Sequence, residues 1–129
     1  MQNRPDAPDL IAAVAEWIED HAVPALSGGT AFHGRVAVNA LRIVERELRA
    51  GPDHHAADRA ALAAFVDEPA GDADLLRRLA ERIRSGELDG EFDSVLGALR
   101  PLSERKLLIA NPRYLPGATP AARSRFAAR

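Results

Sequence analysis

Residues 31–51, Ala-Phe-His-Gly-Arg-Val-Ala-Val-Asn-Ala-Leu-Arg-Ile-Val-Glu-Arg-Glu-Leu-Arg-Ala-Gly, constrain the fold more than any other stretch of the chain. At about 100° per residue the stretch separates into two faces. Phe32, Val36, Ala37, Ala40, Leu41, Ile43, Val44 and Leu48 fill a broad apolar arc. Arg35, Asn39, Arg42, Arg46 and Arg49 stack as a polar, mostly basic stripe. An arc that wide predicts a central helix touched by several neighbours, with residues 32–48 the most buried helix of the fold. His33 falls near the middle of the arc, which predicts a buried imidazole that needs a polar partner. Thr30 is the expected cap at its start, and Gly51-Pro52 its expected stop.

The flanking segments repeat the helical period. Asp6 offers an N-cap, Pro8 suits a first turn and Asp9 favours the positive end of the helix dipole. Leu10, Ile11, Val14, Trp17 and Ile18 follow at helical spacing, so a helix is predicted over residues 7–22, ending near Pro24. The short connection Ser27-Gly28-Gly29-Thr30 favours an antiparallel pair with the central helix. Asp53 is placed to cap a third helix over residues 54–66, with Ala57, Ala61, Leu62, Phe65 and Val66 inward. Leu75, Leu76, Leu79 and Ile83 mark a fourth over 73–85, with Gly86 as its C-terminal cap. The last runs over 93–110. Pro101 lies inside it and costs about 3 kcal/mol in a helix interior. A kink, or a split near Arg100, is expected there. Asn111-Pro112 ends it.

No alternating run long enough for a strand appears, so the predicted fold is all-α: a single compact bundle of about five helices over residues 1–114. Residues 115–129, with Pro116, Gly117, Pro120 and scattered arginines, are expected to be a disordered basic tail.

Composition excludes several functions. Cysteine is absent, which removes disulfides, thiolate metal sites and cysteine nucleophiles together. A reducing cytoplasm is compatible with this. A net charge of -2 argues against a dedicated nucleic-acid binder. The charge is uneven: residues 1–99 hold 10 Lys/Arg against 18 Asp/Glu, and residues 100–129 hold 7 against 1. No secretory signal is visible, and no apolar run approaches the ~20 residues of a membrane span.

The residues that could carry chemistry are few. His54 and Asp58 share a helix face, but two ligands are too few for a metal, and a capped helix start explains them better. Ser27-Gly28-Gly29-Thr30 with Arg35 could hold a phosphate or coenzyme A at a helix start, although the lysine and spacing of a Walker loop are missing. His33 could act as a base, but no spacing supplies an orienting partner. The stripe of Arg35, Arg42 and Arg46 reads as a solvated face or as a contact for an anionic partner. No cofactor and no metal site are expected.

Several blocks together resemble a small bacterial domain family. They are Ala31-Phe32-His33-x-Arg35-Val36-Ala37-x-Asn39-Ala40-Leu41, then Ile43-Val44-x-Arg46-Glu47-Leu48 with Gly51-Pro52. Arg4-Pro5 with Leu10, Pro24-Ala25-Leu26, Arg82-Ile83-Arg84-x-Gly86-x-x-Asp89, and Lys106-Leu107 to Asn111-Pro112-Arg113-Tyr114 complete the pattern over residues 4–114. Members are stand-alone proteins of unassigned activity, encoded beside aminoglycoside-phosphotransferase-like kinases and acyl-CoA dehydrogenases. The resemblance implies a non-catalytic accessory subunit of a kinase that phosphorylates hydroxyacyl-CoA in acid catabolism. The alternatives are a small module binding acyl-CoA or phosphate, and a small enzyme using His33. The resemblance places His33, Arg35, Asn39, Arg113 and Tyr114 among the signature residues. The closing turn from Asn111 to Tyr114 is then expected to fold back and give His33 or Asn39 a polar partner. Two departures stand out: Pro101, and the length of the tail after Tyr114.

Overall fold

The computed structural model describes residues 4–67 and 71–115. The described residues form helices and turns without a strand, as the absence of alternating patterns predicts. Among the described residues the helices number four, against about five expected. The first, α1, is Ala7–Trp17. The Asp6 side chain caps it by accepting from the Asp9 backbone N–H at 3.0 Å. The helix does not stop at 22. It widens into a π-turn at Ile18–Ala22 and runs on through Val23–Ala25. The Val23 N–H reaches back five residues to the Ile18 carbonyl. Pro24 explains the widening: it has no N–H for the fourth carbonyl back, and its ring crowds that carbonyl in an ordinary α-turn.

The second helix, α2, is Gly28–Ala63, 36 residues long. It corrects three expectations. It starts at Gly28, with φ +55°, before Thr30. It passes through Gly51-Pro52 without ending. It absorbs the separate third helix predicted over 54–66. The physical reason lies in the dipeptide. A proline disfavours helical backbone in the preceding residue through contact with its N–H and Cβ, and Gly51 has no Cβ. The helix then turns off after Ala63, where the Phe65 and Val66 N–H groups bond to the Leu62 and Ala63 carbonyls.

Helix α3 is Asp72–Ser85, closed by Gly86 at φ +82°, a left-handed cap that suits glycine. A 3₁₀ turn at Asp89–Glu91 leads into α4, Phe92–Ala110. This helix continues through Pro101, so no split near Arg100 occurs. Asn111 ends it, and a 3₁₀ turn at Pro112–Tyr114 follows. The predicted tail from 116 onward lies outside the described residues.

Contacts divide the chain into two units, Met1–Pro52 and Asp53–Arg129. The second holds a consolidated core of Leu62, Phe65, Val66, Leu75, Leu79, Leu88 and Val95, with Ala98, Leu99 and Leu102 packed on it. Among the described residues of the first, the buried hydrophobic ones are Ala15, Ala31 and Val38. Residues 32–48 are therefore not the most buried helix. Phe32 is 56% exposed, and Val36, Val44 and Leu48 are also exposed. The apolar arc is real, but much of it stays about half exposed.

Candidate functional site

The basic stripe of α2 is joined to the acidic side of α1. Arg49 Nη2 donates to Asp9 Oδ1 at 2.9 Å, and its Nε donates to Glu45 Oε1 at 3.3 Å. Arg42 Nη1 donates to Glu45 Oε2 at 3.2 Å, while Nη2 lies 3.5 Å from Glu19 Oε2. The Arg42 side chain is only 12% exposed. Partial burial lowers the pKa of Arg46, a shift that Glu45 opposes and the Arg42 charge reinforces. The Arg49 bond holds the Asp9 carboxyl below the usual carboxylate range, against a smaller opposing effect of desolvation. These arginines act first as the polar seam of an α1–α2 hairpin. A signal for this was present in the sequence: Asp9 and Glu19 on one predicted helix face Arg49 and Arg42 on the next, in antiparallel order.

His33 is exposed, not buried, with its ring edge-on to Phe32 at 5.7 Å between centroids. The expected need for a buried partner therefore disappears. Arg35 is exposed and Asn39 is half-buried on the same helix. Arg113 and Tyr114 sit together at the end of the chain's last described turn. The guanidinium lies over the Tyr114 ring at 5.3 Å from its centroid, and Tyr114 is 65% exposed.

Residues 24–114 match the family described as Domain of unknown function (DUF6285). The chain belongs to this family. The family's range includes Pro24-Ala25-Leu26, the 31–51 stretch and the Asn111 to Tyr114 block, whereas Arg4-Pro5 and Leu10 precede it. No curated protein and no solved structure matches the chain.

Within the family's range, the polar clusters outside the hairpin serve the fold. Asp58 does not stand with His54 as a ligand pair. It accepts from Arg105 Nε at 2.6 Å, tying α2 to α4 in the second unit. His55 Nε2 meets Asp72 Oδ2 at 2.6 Å, and Arg59 bonds to the same carboxylate. The Arg59 bond is the main reason the Asp72 pKa is lowered. Arg78 donates to the Asp67 carbonyl at 3.1 Å and Arg82 to the Phe65 carbonyl, so both brace the turn after α2. The open cleft beside them is lined by both signs of charge, Arg78 and Arg82 against Asp67, Glu81 and Glu87. Among the described residues no group of three or more His, Cys, Asp or Glu could hold a metal ion. None of the described helices is long and apolar enough to cross a membrane. A Cβ added at Gly28 or Gly29 would meet nothing within 4 Å, so the glycine turn is open and forms no cradle.

The apolar surface near the last helix, which the sequence offers beside the arginine stripe as a place for a partner contact, is exposed in part. Phe92 is 66% exposed, and Leu96, Leu107 and Leu108 are exposed along α4. At about 100° per residue Phe92, Leu96 and Leu107 share one side of that helix. Val95 of the same helix lies in the core of the second unit with Leu99 and Leu102 packed against that core, whereas these residues stay exposed. Nothing in a period of 3.6 tells which of several apolar positions will find a neighbour.

Proposed function

We propose that this protein is a non-catalytic subunit that docks on a larger protein through the outer side of α4 and the adjoining Arg113-Tyr114 turn. The observation that carries the reading is the exposed row of Phe92, Leu96 and Leu107, next to an exposed tyrosine. Exposed aromatic and leucine side chains on a small domain mark protein contact, and Tyr and Arg are frequent anchors at such contacts. The exposed Arg100, Lys106 and Arg113 would favour an acidic rim on the partner. The partner follows from the resemblance: a phosphotransferase-like kinase acting on hydroxyacyl-CoA, which this subunit enables. The Arg42 and Arg46 stripe supports a docking role less well, because Arg42 is already paired within the hairpin.

The deciding assay follows ATP-dependent phosphorylation of a 4-hydroxyacyl-CoA by the kinase alone and with this protein added. A large rise in rate with a complex at micromolar concentration is expected. Leu96→Glu and Leu107→Glu should weaken the complex at least tenfold, since each would bury a charge at the contact. Equal rates with and without the protein, and no complex, would overturn the reading. Thermal stabilisation by acyl-CoA alone would then favour the ligand-binding alternative.

A further inference from the structure

Helix α1 carries apolar residues on two sides, and the fold uses one. Ala15 is buried, and Ile11, Ile18 and Ala22 are half-buried along the same side. Leu10, Val14 and Trp17 are each more than half exposed. At about 100° per residue these three fall within about 60° of one another, and their centre lies roughly 100° round the helix from that of the packed row. The π-turn continues the stripe: the His21 ring stacks on the Trp17 indole, 9° from parallel with 5.9 Å between centroids. A helix that is apolar on several sides is normally covered on each of them. One edge of the stripe is acidic. Glu16 and Asp20, four residues apart, are both exposed there. The other carboxylates of this segment are in use: Asp6 caps the helix, Asp9 pairs with Arg49, and Glu19 pairs with Arg42. Among the described residues the Glu16 and Asp20 carboxylates have no ion-pair or hydrogen-bond partner.

We infer that the outer side of α1 docks a basic amphipathic helix of another protein. Apolar side chains of such a helix cover Leu10, Val14 and Trp17, and lysines or arginines along its edge meet Glu16 and Asp20. Charge chooses among the occupants. A second copy of the chain fits poorly. An antiparallel twofold pair of α1 helices sets the same edge of each side by side, so Glu16 and Asp20 would face their own counterparts. A membrane surface fits poorly too, because anionic headgroups repel the same carboxylates. A basic segment gains from the stripe and from its rim together. Trp17 is the natural anchor, since tryptophan is among the residues that dominate the binding energy of protein contacts. The α4 side suits a partner with an acidic rim, so the two surfaces select partners of opposite charge. The α1 contact does not rest on the kinase and is tested without one.

The test uses the full chain and its single tryptophan, Trp17, as the reporter. The probe is a synthetic helical peptide of leucine and lysine with the leucines on one face, and its control carries glutamate at every lysine position. The lysine peptide should move the Trp17 emission to shorter wavelength as the indole leaves water, and should bind at least about tenfold more tightly than the control. Val14→Ser should weaken that binding several-fold. Glu16→Lys combined with Asp20→Lys should reverse the preference between the two peptides, whereas Glu104→Lys on α4 should leave it nearly unchanged. A far-ultraviolet circular dichroism spectrum for each variant separates lost docking from lost folding. An unmoved Trp17 emission at about 100 µM lysine peptide would overturn the inference. So would an equal response to the two peptides, or a preference that survives the charge reversal at 16 and 20. An emission shift on concentrating the chain alone would give the stripe to a second copy, and one on adding phosphatidylserine vesicles would give it to a membrane; either would overturn the inference as well.

Discussion

The two units of this chain solve the same problem with different materials. In Met1–Pro52 the buried hydrophobic residues are two alanines and a valine, ion pairs join the helices, and large apolar residues such as Trp17, Phe32 and Leu48 are exposed. In Asp53–Arg129, leucines, a phenylalanine and valines are gathered into one core. A glycine lets the start of α2 approach the segment that follows α1 closely. Gly34 shows how closely: a Cβ there would lie 3.1 Å from Val23 Cγ2. Of the large side chains in the arc, Leu41 and Ile43 are half-buried, while Phe32, Val36, Val44 and Leu48 stay exposed. The same apolar period therefore yields one unit with a consolidated core and one without.

The largest expected effect tests this contrast directly. Leu75 is 2% exposed in the core of the second unit. Leu75→Ala should cost about 2–5 kcal/mol, because a cavity remains where the side chain was. Phe32→Ala removes a larger side chain, yet at 56% exposure it should cost the isolated monomer well under 1 kcal/mol. Urea unfolding at low micromolar concentration measures both. Similar losses for the two variants would mean that Phe32 is covered after all, and the contrast between the units would fall.

The same contrast explains what could be read from the sequence. Residues that act locally were legible. Asp6 caps α1, Gly86 takes the left-handed cap after α3, and Asn111-Pro112 ends α4, each by chemistry confined to one turn. Gly51-Pro52 misleads because a stop is only favoured there: glycine eases the restriction that proline places on the residue before it, and the rest of the proline's cost, a lost hydrogen bond and a crowded carbonyl, is local. Pro101 misleads because helix propensity is a local cost of a few kcal/mol, and Leu99, Leu102 and Val95 packing on either side of it can exceed that. The candidate site was legible in part. The arginine stripe was visible as a stripe, but its pairing with Asp9 and Glu19 required reading two helices together. His33 lies on the apolar side, as its spacing predicts, but is exposed rather than buried there.

A middle-sized effect probes the alanine-packed hairpin from within. Gly34→Leu would force a branched side chain against Val23 and Leu26. Overpacking of this kind costs typically about 1–3 kcal/mol. The loss should fall on the first unit, seen as faster amide exchange in α1 and the first turns of α2, with the second unit's core amides less affected. Gly34→Ala sharpens the reading. The neighbouring side chains need give only a few tenths of an ångström, and alanine gains about 1 kcal/mol of helix propensity over glycine. Its net effect should be near zero. Equal tolerance of leucine and alanine would show that the helices do not depend on that close approach.

The smallest effect concerns the ion pairs that edge each unit, Asp9 with Arg49 in the first and Asp72 with Arg59 in the second. Both carboxyls are held below their ordinary pKa, chiefly by the arginine bond, with desolvation opposing it. A group whose pKa is lower folded than unfolded stabilises the fold above its unfolded value, near pH 4, and loses that contribution as pH falls through the folded value. Arg49→Gln should therefore reduce stability slightly at neutral pH. The difference from the parent should shrink toward zero as the pH drops well below 4. Arg59→Gln should behave alike in the second unit. Both differences should be small and should diminish in 1 M salt, because these carboxylates are exposed to solvent and screening shortens the range to about 3 Å. Urea midpoints between pH 5 and 2.5 follow both variants. A difference that grows on acidification would have the opposite sign from a lowered carboxyl pKa, and would mean that the arginine stabilises the fold by something other than its bond to the aspartate.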